Sequence, residues 1–228
     1  MRWNLPSRSI RGEYTGVSEM IIAIDGTAAA GKSTLARRIA AHYGLPHLDT
    51  GSIYRGVARD VAKAGHELTS VEAAAEAARN LDASTLSDPG LRLKGAGEAA
   101  SVVAAYPEVR AALLAFQRSF AATPGGAVLE GRDIGTVVCP DARAKIFVSA
   151  SAKARAARRY VELRGYGVDI TEETVLREIE DRDRRDRERP VSPLIPAKDA
   201  LLLDTTELDI EKALAAALEL IDKAAGLR

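Results

Sequence analysis

The sequence predicts an α/β fold, a parallel sheet with helices on both faces, and three observations carry that expectation. Short apolar segments alternate with longer helical patterns along most of the 228 residues. The segments at 20–24, 127–129, 145–148 and 200–203 show almost no polar alternation, as strands covered on both faces require. The first of them runs straight into a glycine-bounded loop and then a helical pattern, Gly26-Thr27-Ala28-Ala29-Ala30-Gly31-Lys32-Ser33.

In chain order, Met20-Ile21-Ile22-Ala23-Ile24 reads as the first strand and 33–43 as the first helix. Residues 46–49 make a short connection or strand, and Thr50-Gly51 precedes a helix at 52–64. Alanine-rich stretches at 71–81, 96–105 and 107–121 read as helices, broken at Asp88-Pro89-Gly90 and at Pro107. Pro124-Gly125-Gly126 ends that helical middle, and the buried strands 127–129 and 145–148 follow. Helices at 152–164 and 172–187, a strand at 200–203 and a closing helix at 209–224 complete the pattern. In such a sheet, ligands bind at the carboxyl ends of the strands.

Composition narrows the function classes. Lys plus Arg and Asp plus Glu both number 32, so no overall field draws the chain to nucleic acid or to an anionic membrane. A lone cysteine, Cys139, excludes an internal disulfide framework and multi-cysteine zinc patterns; it is expected buried, in a protein of the reducing cytoplasm. No run approaches the roughly 20 apolar residues that span a bilayer. Residues 1–19 carry no sustained period and are expected to be a disordered or non-native extension, with Met20 opening the natural chain. The expectation is one domain over 20–225, working as a monomer.

The loop carries the chemistry. Its glycines let several backbone N–H groups turn inward, and the helix that follows points its positive end at the same hollow. An anion is the natural occupant, and a nucleoside triphosphate the expected one. Gly26, Thr27, Ala28, Ala29, Ala30, Gly31, Lys32, Ser33 and Thr34 are the expected donor-binding residues. Lys32 is placed to reach the β- and γ-phosphates, and the Ser33 hydroxyl to sit on Mg²⁺.

Further on, Arg132-Asp133 follows a buried strand ending at Glu130, where side chains emerge beside that loop; Arg132 is expected on a phosphate. The run Asp-Arg-Asp-Arg-Arg-Asp-Arg-Glu-Arg at 181–189 has one net positive charge, and helical spacing pairs Asp181 with Arg185 and Arg182 with Asp186. About half of it reads as a solvated ion-paired face. Arginine, with Arg155, Arg158 and Arg159 on the preceding helix, also suits desolvated phosphate. Transfer between two phosphorylated molecules needs such cations, and an anionic acceptor dispenses with a base. His42, His47 and His66 fall near helix ends or turns and fit exposed or capping roles.

These stretches resemble bacterial cytidylate kinase, a family of nucleoside monophosphate kinases with a phosphate-binding-loop NTPase fold. The resemblance rests on the loop with Lys32, on Asp49-Thr50-Gly51-Ser52-Ile53-Tyr54-Arg55, on 99–110 together with Gly131-Arg132-Asp133-Ile134-Gly135-Thr136-Val137-Val138, and on Arg189-Pro190-Val191-Ser192-Pro193-Leu194. It runs from Met20 nearly to the C-terminus. It implies transfer of the γ-phosphate of ATP, with Mg²⁺, to CMP or dCMP. Thr50, Tyr54, Arg55, Arg132 and Arg189 would line the acceptor's phosphate and sugar, Arg182 and Asp186 its ribose, and Ser101, Arg110 and Asp133 its base. Lys32, Arg132, Arg159 and Arg189 would surround the transferring phosphate. A small helical acceptor-binding region at 55–122 and a short lid of arginine-rich helices at about 155–189 complete the implied plan. Residues 81–95 are too few for the β-rich insert of the family's longer members, which makes this a short form. Leu93 replaces a frequent threonine there, which weakens the case for Arg92 as a base or phosphate contact.

Two alternatives remain at this stage. Another small-molecule kinase would use the same loop. A nucleotide switch would too, but the chain has no Asn-Lys-x-Asp motif, and a switch needs no second arginine-lined pocket.

Overall fold

Five parallel strands form the sheet, in the order β2-β3-β1-β4-β5: β1 (Met20–Gly26), β2 (His47–Asp49), β3 (Gly126–Gly131), β4 (Ala144–Ser149) and β5 (Leu201–Asp204). The computed structural model describes residues 19–93 and 95–227, without the Arg92 side chain, so the expected extension at 1–19 lies outside it but for Glu19, as does that arginine's contact. Each expected strand is present, and 46–49 resolves into a three-residue strand beside β3.

Among the described residues, eight helices connect and cover the strands: α1 (Lys32–Tyr43), α2 (Thr50–Lys63), α3 (Val71–Arg79), α4 (Ala96–Val103), α5 (Pro107–Ala121), α6 (Ala152–Gly165), α7 (Glu172–Glu188) and α8 (Ile210–Ala225). Their ends follow ordinary capping chemistry. Glycines in left-handed conformation bound α1 at Gly31 and Gly44, Pro107 opens α5, and the side chains of Ser70, Thr171 and Asp209 accept N–H bonds at the starts of α3, α7 and α8. A 3₁₀ turn at Pro89–Arg92, capped by Asp88, stands at the expected break, while a 3₁₀ turn at Ala83–Ser87 and a π-type turn at Ile134–Val138 had no expectation.

Strand alternation sends Ala23 and Leu129 to one face of the sheet and Ile22, Ile24 and Val128 to the other. On the first face, Ile53, Val57 and Val61 of α2 and Val109 and Leu113 of α5 close the core. On the second, Leu35 and Ile39 of α1 and Ile221 of α8 do so. Fully burying a side chain of that size contributes about 1.5–3 kcal/mol, so both layers are held firmly to the sheet. The pair α6–α7 instead has its own small cluster, Ala156, Leu163, Val175 and Ile179, set apart from both cores. No single described helix is long and apolar enough to cross a membrane.

Candidate active site

The loop expected from the motif follows β1 directly. Gly26 has φ 148°, and a Cβ there would lie 1.9 Å from the Val148 carbonyl oxygen, so only glycine lets β1 turn this close to β4. The Thr27 N–H donates to the same oxygen at 3.3 Å. Gly26 and Thr27 therefore form the floor, while Ala28, Ala29, Ala30, Gly31, Lys32, Ser33 and Thr34 line a cleft of about 710 Å³. At Gly31, φ 82° starts α1 with no side-chain cap and no acid in the first turn, which leaves its N–H groups available to an anion.

Lys32 is buried and its Nζ donates to Thr27 O at 2.6 Å. Burial, and then the Arg132 charge, hold its ammonium well below the ordinary lysine range. A phosphate beside it would reverse that. The Ser33 hydroxyl donates to Glu130 Oε2 at 2.8 Å, and the other carboxylate oxygen lies 3.0 Å from His47 Nε2. Glu130 is only 2% exposed. The sequence reading passed over it as a site residue; its signal is an acid at the carboxyl end of an otherwise buried strand. His47 is a correction: it stands on β2 as a partner of Glu130, neither exposed nor capping, because β2 lies next to β3 in the sheet.

Beyond the loop, arginines and acids line the cleft together. Asp49 caps α2 by accepting from Ser52 N at 3.3 Å and takes Arg55 Nη2 at 2.6 Å. Thr50 donates its hydroxyl to Glu130 O at 2.7 Å. Arg132 Nε donates to Asp186 Oδ2 at 2.9 Å, and Arg182 Nε lies 4.0 Å from the same oxygen. Arg110 hydrogen-bonds Asp133, and its guanidinium carbon lies 5.5 Å from the Tyr54 ring centroid, a cation–π stack. Ser101 on α4 lines the same wall, half-buried. Arg189 Nε donates to Ser192 O at 2.5 Å.

Three guanidinium nitrogens in this wall, Arg55 Nε, Arg182 Nε and Arg189 Nη2, are buried without a hydrogen-bond partner among the described residues. Buried donors ordinarily find acceptors, so this cluster presents an unmet demand that phosphate oxygens satisfy. Arg182 shows the same strain electrostatically: burial, then Arg132, push it down to about 10. Asp186 answers in the opposite sense. Burial would raise its carboxyl, but Arg132 and Arg182 together hold it below the usual range.

The helices α6 and α7 need two corrections. Arg155 is not a free phosphate ligand: it is 3% exposed, donates twice to Asp183 at 3.1 and 2.6 Å, and also reaches Ala28 O at 3.0 Å. Arg158 is likewise engaged with backbone, donating to Thr205 O at 2.6 Å, though it still edges the cleft. Arg159 lines the cleft, with Nη1 on Glu162 Oε2 at 2.7 Å. The second correction concerns pairing. Asp181 takes Arg184 at 2.5 Å, and Arg185 crosses to Glu98 of α4 at 2.7 Å, because the helix face carrying Arg185 is turned toward α4. The expected Arg182–Asp186 pair is present.

The family model of cytidylate kinase matches residues 22–223. The chain belongs to the cytidylate kinase family. A cytidylate kinase of Methylocella silvestris is 59% identical over 205 residues, covering 90% of this chain and 95% of the relative. One of Xanthobacter autotrophicus is 59% identical over 203 residues, covering 89% and 97%. One of Rhodopseudomonas palustris is 56% identical over 203 residues, covering 89% and 96%. Among solved structures, a gluconokinase from Sinorhizobium meliloti superposes with TM-score 0.51 at 14% identity, covering 92% of this chain and 97% of that one. An uncharacterized protein from Eubacterium ventriosum gives 0.53 at 16%, covering 90% and 99%. At those identities the two structures speak to fold alone, and they share the parallel α/β plan of this cytidylate kinase family member.

Proposed function

We propose that the chain carries out its family's reaction, transfer of the γ-phosphate of ATP to CMP to give CDP and ADP, inside this one cleft, with donor and acceptor at its two ends. The observation that carries the division is the trio of unpartnered guanidinium nitrogens on Arg55, Arg182 and Arg189, which belong to α2, α7 and the end of α7 rather than to the donor loop. A triphosphate satisfies the loop; a second, phosphorylated substrate satisfies the trio.

The amides of residues 28–33 and the Lys32 ammonium hold the donor's β- and γ-phosphates. Thr50, Arg55, Arg132 and Arg189 face the acceptor's phosphate, Tyr54 and the pair Arg182 and Asp186 its sugar, and Ser101, Arg110 and Asp133 its base. Lys32, Arg132, Arg159 and Arg189 neutralise charge developing between the two phosphates, where one well-placed cation is worth about 10³–10⁵ in rate. No base is needed, because the attacking oxygen is already ionised; the one histidine near the loop, His47, is occupied by Glu130.

The donor set fits Mg²⁺: Ser33 Oγ beside the Glu130 carboxylate supplies hard oxygens, and no cluster of three acids, histidines or cysteines among the described residues competes with phosphate for the ion. Held by Ser33 with Glu130 behind it, Mg²⁺ would supply positive charge against the donor phosphates.

Residues 55–122, from α2 through α5, form the acceptor-binding region, and about 155–189, most of α6 and all of α7, the lid, whose small core suits movement as a unit. Both ends of the cleft come from one chain, so a monomer suffices. A single buried thiol, Cys139, suits a reducing cytoplasm.

Cytosine offers an amino donor beside ring acceptors, which Asp133 and Arg110 complement; uracil reverses half of that pattern. A coupled assay across nucleoside monophosphates is expected to show CMP and dCMP with kcat/KM about 100-fold or more above UMP and AMP. ATP alone should be hydrolysed slowly, since closure excludes water. A clear preference for AMP or UMP, or ATP consumption unchanged by CMP, would end this reading.

A further inference from the structure

Asp25, the residue before the donor loop, carries a carboxylate that none of the chemistry above uses. It lies on β1, the central strand, and is 4% exposed. A charge so placed is costly unless it is hydrogen-bonded. Its two oxygens accept the N–H groups of Ile134 and Gly135, both at 2.7 Å. Those groups open the π-type turn Ile134–Val138, whose capping position is Asp133.

An aspartate at a cap normally spends its own carboxylate on the second or third N–H of the turn, here that of Gly135 or Thr136. Here Asp133 makes no cap bond and instead holds Arg110 with its side chain. Gly135 lies close against Asp25 and Lys145: a Cβ there would be 3.4 Å from Asp25 Oδ2, an ordinary contact, and 3.2 Å from the Lys145 side chain. On the far side, Arg118 of α5 donates to Val137 O at 3.0 Å and Val138 O at 3.2 Å, so the turn is clamped at both ends.

We propose that Asp25 is a positioning residue for base selection: it caps the 134–138 turn in place of Asp133, leaving the Asp133 carboxylate free to hold Arg110 and face the acceptor base. This rests on the reading that Asp133 and Arg110 recognise cytosine. It also ties the acceptor's base pocket to the strand that carries the donor loop.

Asp25→Asn keeps the shape but turns an amino group against one of the two N–H groups, which displaces the start of the turn and with it Asp133. The kcat/KM ratio of CMP to UMP should fall about 10-fold or more, with the KM for ATP within about twofold of wild type. A purely structural role would lower the melting temperature and scale both nucleotides alike. Asp133→Asn separates the two readings. If it leaves the ratio unchanged, the base reading fails and this inference with it. If it lowers the ratio while Asp25→Asn does not, the base reading stands and the positioning role of Asp25 is overturned.

Should Asp25→Asn not fold, the wild type supplies the same test through pH. Burial raises the Asp25 carboxyl to about 6, against the two N–H bonds; Asp133 adds to the rise and Lys32 opposes it. Cys139 lies within its field, and the Lys145 ammonium is turned away onto Asp199 and the Pro140 carbonyl. Protonation removes one acceptor, so the CMP to UMP ratio should fall as pH drops through about 6. The titration of the monophosphate cancels in that ratio, being common to both nucleotides. A ratio constant from about pH 7.5 to about 5.5 overturns the proposal.

Discussion

Lys32 shows how a residue can be costly to the fold and indispensable to the site. Its charge is disfavoured by burial and by Arg132, so the ammonium is held well below its ordinary range. The charged form therefore destabilises the protein at neutral pH, and that cost is relieved as pH rises through the depressed pKa. Lys32→Met is expected to lower kcat about 10³-fold while leaving the melting temperature equal or higher; steady-state kinetics and thermal unfolding on the same sample check both halves. A large loss of stability would show that the lysine supports the loop rather than the phosphate. Among single residues, Lys32, Ser33 and Arg132 were legible because each answers to a fixed place in a motif. Glu130, His47 and Asp25 were not, because their partners lie on neighbouring strands or turns: Ser33 is 97 positions from Glu130, and Gly135 is 110 from Asp25.

At the scale of elements, a buried ion pair reinforces the apolar contact that joins α6 and α7 to each other and to the loop after β1. Arg155 of α6 holds Asp183 of α7 and the Ala28 carbonyl, with Arg187 3.5 Å from the same carboxylate. Removing one partner leaves a buried charge alone, so Asp183→Asn or Arg155→Met should cost about 3–5 kcal/mol, read as a shift in urea midpoint. Replacing both by apolar residues of similar volume should recover most of it. Because Arg155 touches the loop, the single variants should also raise the KM for ATP more than that for CMP. Equal effects on the two would place the pair outside the donor site. Helices and strands themselves were readable from apolar runs, proline and glycine stops and caps. The 134–138 turn was not, since its capping comes from β1 and its anchoring from α5.

Across the whole molecule net charge is balanced, and the cleft is nearly so, with nine basic and eight acidic side chains lining it; what distinguishes it is that several of its cations are buried together. The 32 acids and 32 bases cancel, yet Lys32, Arg55, Arg132, Arg182 and Arg189 converge on one space, and Arg182 is pushed down to about 10 there. Anions that relieve this should stabilise the fold strongly. With Mg²⁺, a non-hydrolysable ATP analogue and CMP each near 100 Kd, each site adds about 2.7 kcal/mol. For a chain of this size that amounts to a rise of roughly 10–20 °C in melting temperature if the two sites add. A rise with the ATP analogue and none with CMP would contradict two separate anion sites. By itself, the sequence determined the sheet-and-helix order, the donor loop and the family, because these follow from local periodicity and from spacing within short motifs. Only the tertiary structure decided which arginines remain open to phosphate and which, like Arg155, are consumed by acids on another helix. It alone also set Asp25 under the 134–138 turn. Such outcomes depend on distance and burial, which arise only when residues far apart in the chain are brought together.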